Sequence, residues 1–169
     1  MSVHVIECHT KCIFKSKVQG ERKNKLRECN SKVLHGILPC NRNLFKWKIR
    51  ENDECDLCHN TQTIQHLLFE CSYVKPLWKM VNDVYAVNVT FSLILGTEKC
   101  FRYNKILTLV SFLIYKEWLV LSFDKKRRPD HIAFAYFKSE IKMRIDIYRK
   151  CNLYDEIDLQ LLECLHDVL

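Results

Sequence analysis

Two cysteines, a histidine and a third cysteine constrain this chain more than anything else in it: Cys55-Asp-Leu-Cys58, seven residues, His66, four residues, Cys71. The pattern C-x2-C-x7-H-x4-C places three thiolates and one imidazole within 17 residues. That soft donor set suits one Zn²⁺, and four protein ligands close a tetrahedral site with no position left for a reacting water. The role expected of the metal is therefore structural. Asp53, Glu54 and Asp56 make the knuckle polar, and Thr61-Gln62-Thr63 can open a helix with Ile64, Leu67 and Leu68 on its apolar face. On a regular α-helix His66 and Cys71 would lie about 140° apart. The helix must end, tighten or unwind near Glu70-Cys71 for both side chains to reach one ion.

Ten cysteines in a secreted chain would imply disulfides. The first residues, Val3-His-Val-Ile-Glu-Cys8, hold no long apolar run of the secretory kind. A reducing, intracellular setting, nuclear or cytoplasmic, is expected instead, with metal plus free thiols. Cys8, His9 and Cys12 have no later pair at metal-binding spacing, which points to buried or idle thiols. Three Gly and three Pro in 169 residues are too few for a turn-rich β architecture, whereas 48% hydrophobic residues can fill a core. The fold class expected is mainly α, a small helical domain built around the CCHC knuckle. Its parts are a basic N-terminal segment (1–30), the zinc-binding domain (31–90), a helical extension (91–150) and an acidic C-terminal helix (151–169).

Periodicity places the helices. Residues 21–38 read as a basic helix with Leu26, Val33, Leu34 and Ile37 inward, stopped by Pro39. A short helix is expected over 43–49. The second ligand helix is expected over 61–85, kinked at Pro76. Residues 102–123 are the most hydrophobic segment. Its uncharged run, 106–115, is too short for a bilayer, so it is expected at the centre of a core and not in a membrane. A further helix opens at Pro129-Asp130, and a last one, over 154–169, turns Ile157, Leu161, Leu165 and Val168 inward.

Charge is uneven. Residues 1–50 carry 12 Lys or Arg against 3 Asp or Glu, and residues 101–150 carry 12 against 5. Two basic blocks around an acidic knuckle suit a polyanion, although lysines also serve simply to solvate helix faces. Lys46, Lys48 and Arg50 alternate with Phe45, Trp47 and Ile49, the interleaving of a stacking-plus-phosphate surface. The plainer role for Phe45 and Trp47 is to buttress the zinc site. Lys125, Lys126, Arg127 and Arg128 form a second cluster that resembles a short nuclear-import signal. The acidic tail either packs as an ordinary helix or lies across a basic face and competes with nucleic acid.

Leu34-His-Gly-Ile-Leu-Pro39, Asn43-Leu-Phe-Lys-Trp47, the CxxC, Thr63-Ile-Gln-His-Leu-Leu-Phe-Glu-Cys71 and Trp78 together resemble the zinc-binding C-terminal region of non-LTR (LINE-type) retrotransposon reverse transcriptases. A retroviral nucleocapsid knuckle has a shorter gap to its His and a basic, Gly-containing filling. Leu93-Ile-Leu-Gly96, Asn104-Lys-Ile-Leu107 and Leu113-Ile-Tyr-Lys116 resemble the segment that follows the knuckle in animal elements of this type. The resemblance runs over roughly residues 31–150. It implies a module that helps to hold template RNA or target DNA during target-primed reverse transcription. Zinc would sit on Cys55, Cys58, His66 and Cys71, phosphates on the two basic clusters, and a polymerase domain would be a further partner.

The chain has no Tyr/Phe-x-Asp-Asp pair for a polymerase, and no P-loop, Gly-x-Ser-x-Gly or metalloprotease motif. A non-catalytic accessory module is expected. Two other readings stand beside it. One is a structural or protein-docking zinc domain without its own affinity for nucleic acid. The other is a PD-(D/E)xK nuclease remnant, with Asp130 and Glu140 holding Mg²⁺ and Lys142 assisting a water. That chemistry needs Glu140 and Lys142 on a strand, whereas the apolar spacing here is helical, and residues two apart on a helix diverge by about 200°.

Overall fold

A computed structural model describes residues 21–96, 103–124, 128–151 and 156–169. The fold is mainly α, and the one β feature among the described residues is an antiparallel bridge between Glu54 and Thr61. In chain order come α1 (Glu21–Leu34), α2 (Asn41–Lys46), a π-helical turn (His66–Glu70), α3 (Lys75–Tyr85), α4 (Phe91–Ile94), α5 (Asn104–Asp124), α6 (Asp130–Cys151) and α7 (Glu156–Val168).

α5 is the common core element. Ile106, Leu107, Leu109, Val110, Phe112, Leu113 and Tyr115 are all buried, and together they occupy every side of the helix. A helix apolar all round needs neighbours all round. α1, α4, the π-turn and α7 supply them. By length and composition alone the 21 residues of α5 would also suit a bilayer, but half of that apolar stretch is buried inside the protein.

α7 packs on α3, α5 and α6 through buried Leu161, Leu162 and Leu165. The Tyr85 hydroxyl donates to the Leu161 carbonyl at 2.5 Å, which ties α3 to α7. Val168, expected inward, is exposed. Two of the tail carboxylates are held in ion pairs, Asp158 with Lys105 and Glu163 with Arg149. The acidic helix is therefore a packed element of the fold, with its charge partly neutralised by its own neighbours.

Helix ends correct three expectations. α1 stops at Leu34, not at residue 38, because Gly36 takes a left-handed φ of +68°. Ile37 N–H then donates to the Lys32 carbonyl (2.9 Å) and Gly36 N–H to the Val33 carbonyl (3.1 Å), a Schellman closure. Beyond that turn Ile37 points outward, 53% exposed. The helix expected over 61–85 is two helices, and Pro76 lies in the first turn of the second, where its missing N–H costs nothing.

α3 ends on Ala86 at φ +48°, a conformation that disfavours any side chain with a Cβ. Ala86 is exposed, so Ala86→Gly should raise stability by about 0.5–1 kcal/mol without touching the core. A urea midpoint that shifts upward checks this, and a downward shift contradicts it.

Candidate metal centre

The knuckle forms between residues 54 and 61. Cys55 N–H donates to the Asn60 carbonyl at 2.7 Å and His59 N–H to the Cys55 carbonyl at 3.0 Å. The chain reverses through His59 at φ +60°, with no glycine in the loop. Thr63 then starts the ligand helix, its Oγ1 accepting from the His66 N–H at 3.0 Å as an N-cap does.

After one α-helical step the helix widens. His66–Glu70 is π-helical, and the Cys71 N–H reaches back five residues to the His66 carbonyl at 2.9 Å. In an i→i+5 turn, residues five apart become neighbours on one face. The angle that would separate His66 from Cys71 on an α-helix is thereby removed. The helix widens first and only then ends, with Cys71 leaving at ψ 134°.

The four donor atoms of Cys55, Cys58, His66 and Cys71 lie within 4.8 Å of one another. Cys55 Sγ and Cys58 Sγ are each 3.9 Å from Cys71 Sγ, and Cys58 Sγ is 3.2 Å from His66 Nε2. Sulfurs around a tetrahedral Zn²⁺, with Zn–S about 2.3 Å, sit about 3.8 Å apart, so these separations fit the ion. Cys55, His66 and Cys71 are buried and Cys58 is half-buried. The set is complete without water, which makes the zinc structural.

One thiol of the Cys55–Cys71 pair is held as a thiolate by its neighbours. Cys55 is pushed down to about 4, first by the hydrogen bond from Cys71 and then, against burial, by the Leu57 and Cys58 amides. Cys71 is pushed up, first by the proton it shares with Cys55 and then by burial. A metal ion takes the place of that shared proton.

A second layer holds the ligands, and most of it was not legible from residue patterns. Gln62 is buried; its Nε2 donates to Cys55 Sγ at 3.5 Å and its Oε1 accepts from the Asn41 N–H at 3.0 Å. Asn41 Nδ2 in turn donates to the Glu54 carbonyl at 2.5 Å. The first turn of α2 is thus bonded to both strands of the knuckle. Asn60 Nδ2 lies 3.5 Å from Cys58 Sγ. Donors of this kind orient thiolates and spread their charge. Trp78, buried on α3, donates its indole N–H to the Leu68 carbonyl at 2.7 Å and so caps the end of the π-turn.

Arg50, expected at phosphates, forms a two-pronged pair with Asp56, at 2.8 and 3.1 Å. It clamps the knuckle to the segment after α2. Lys46 and Lys48 are exposed, and Phe45 and Trp47 are 47% and 46% exposed. Lys125, Lys126 and Arg127 lie outside the described residues, as do Cys8, His9 and Cys12. Arg128 pairs with Glu117 at 2.6 Å and stands 5.0 Å from the Tyr136 ring. Asp130, Glu140 and Lys142 all lie on α6. Glu140 accepts from the Tyr136 hydroxyl at 3.2 Å and sits 3.6 Å from Lys116 Nζ, while Lys142 is exposed. The strand that a PD-(D/E)xK site requires is a helix here.

Residues 4–78 match the family described as zinc-binding in reverse transcriptase. Over these residues the chain is similar to that family. The match begins upstream of Ser31, where the resemblance read from the sequence fades. It ends on Trp78, the residue whose indole caps the ligand turn. The match takes in less than half of the 169 residues, and what it matches is a zinc-binding segment, not a polymerase domain. No curated protein and no solved structure matches the chain.

Proposed function

We propose that the chain is a non-catalytic, nucleic-acid-binding accessory module of a LINE-type, non-LTR reverse transcriptase. RNA or DNA and a polymerase domain would be its partners, in the nucleus or cytoplasm. One observation carries the reading. The exposed run Phe45, Lys46, Trp47, Lys48 sits on a segment clamped to the zinc knuckle from both ends, by Asn41 with Gln62 and by Arg50 with Asp56. Zinc binding then has a use beyond local stability, because it fixes a basic and aromatic surface. Lys46 and Lys48 meet phosphates, while Arg50 is a positioning residue. The cluster at 125–128 supplies further positive charge along the same chain.

The reading is tested by salt-dependent binding of the zinc-loaded chain to RNA and DNA. Lys46→Glu with Lys48→Glu should lower affinity about tenfold or more at low salt. It should also flatten the slope of log K against log salt by roughly 1.5–2, with zinc content unchanged. Absence of binding by the parent chain at low salt would overturn the reading in favour of a protein-docking zinc domain.

A further inference from the structure

We infer that Phe45 and Trp47 each offer a stacking face to unpaired bases, so that the chain prefers single-stranded nucleic acid to duplex. This deepens the proposed function and rests on it. The core had two large aromatic side chains available at this position and left nearly half of each in water, alongside Ile49 at 68% exposure. In the same short helix Leu44 is buried and Asn41 is fully enclosed, so α2 is anchored firmly while its far end projects.

The projecting end is rigid. Ile49 N–H donates to the Leu44 carbonyl at 2.8 Å and Lys48 N–H to the Phe45 carbonyl at 2.9 Å, closing α2 with Lys48 in the left-handed region at φ +60°. Arg50 is then fastened to Asp56. A rigidly held ring loses little entropy when a base settles on it.

Charge identifies the occupant. Among the described residues no carboxylate pairs with the Arg42, Lys46 or Lys48 side chains, which lie close to the two rings in sequence. Rings interleaved with free cations suit bases interleaved with phosphates, and every base offers a π-face. Duplex DNA hides those faces within its stack. α2, with six residues and a length of about 9 Å, is also too short to lie along a major groove and read base edges. The bases that fit are unpaired, as in a single strand or a frayed end.

The chain carries its own reporter. Of its three tryptophans, Trp78 and Trp118 are 2% and 4% exposed, so a ligand that stacks on the surface changes the emission of Trp47. The experiment uses the zinc-loaded full chain with labelled oligo(dT) and oligo(rU), and mixed-sequence duplexes of equal length. Single strands should quench tryptophan emission and bind about tenfold or more tightly than duplex. Trp47→Ala should cost single-strand affinity about tenfold while leaving zinc content, melting temperature and the salt slope unchanged, and Trp47→Phe should recover most of the loss. Single-strand binding without quenching, unaffected by Trp47→Ala, would overturn the stacking yet leave the nucleic-acid reading standing. Equal affinity for duplex would overturn the preference. No binding of any strand would overturn the nucleic-acid reading itself and leave the rings as a protein-docking patch.

Discussion

Replacing Cys71 by Ser should abolish tight zinc binding and unfold the segment from about residue 38 to 78, leaving the α5 core helical. The expected size follows from two magnitudes. A structural zinc contributes about 10–16 kcal/mol of binding free energy in small domains, and whole domains are stable by only about 5–15 kcal/mol. Residues 47–63 contain no helix and are held by few contacts, among them the Asn41 amide on the Glu54 carbonyl. They rely on the metal, the Gln62 amide, the Glu54 to Thr61 bridge and the Arg50 to Asp56 pair. α5 keeps its contacts with α1, α4 and α7 and should persist. Hydrogen exchange read by mass spectrometry checks this directly: protection is lost in the knuckle and ligand turn and retained over 104–124. Chelation should reproduce the pattern in the parent chain. So should acid, because each ligand must shed its proton to bind, and affinity therefore falls as pH falls. Native-like protection of the ligand turn in the zinc-free variant would contradict the structural role.

Trp78→Phe should cost about 1–3 kcal/mol although it keeps an aromatic ring, because the Leu68 carbonyl loses its buried donor. Trp78→Ala should cost about 3–5 kcal/mol, adding a cavity beside Phe69, whose ring lies 6.3 Å from the indole. The two variants separate the hydrogen bond from the packing. Both should also weaken zinc, since the carbonyl that Trp78 holds belongs to the π-turn that aims His66 and Cys71 at one point. Urea unfolding and competition with a colorimetric zinc chelator give the two readouts. A Phe variant equal to the parent in both would show that the indole N–H has no part in holding the turn.

The ligands were legible because their chemistry is carried by residue type and spacing. So was the place of α5, because a segment apolar on all sides has few uses. The five-residue step from His66 to Cys71 announced that a regular helix would fail there. It did not say that the helix would widen into a turn that Thr63 opens and that Trp78 ties to α3. Gly36 was a readable stop for α1 that Pro39 overshadowed: a left-handed cap ends a helix before a proline needs to. Arg50 looked like its lysine neighbours, and only the fold brings Asp56 within reach of it. Gln62 and Asn41 follow no apolar period, because their task is to bond backbone and sulfur across a loop closure that spacing alone does not reveal.

The metal centre depends on three sulfurs and one nitrogen meeting at one ion. X-ray absorption at the zinc edge, together with elemental analysis of the natively purified chain, measures that most directly. The expected result is one zinc per chain, with three sulfurs at about 2.3 Å and one imidazole nitrogen at about 2.0 Å. A folded chain without zinc, or a metal shell containing oxygen in place of Cys55, Cys58, His66 or Cys71, would contradict it.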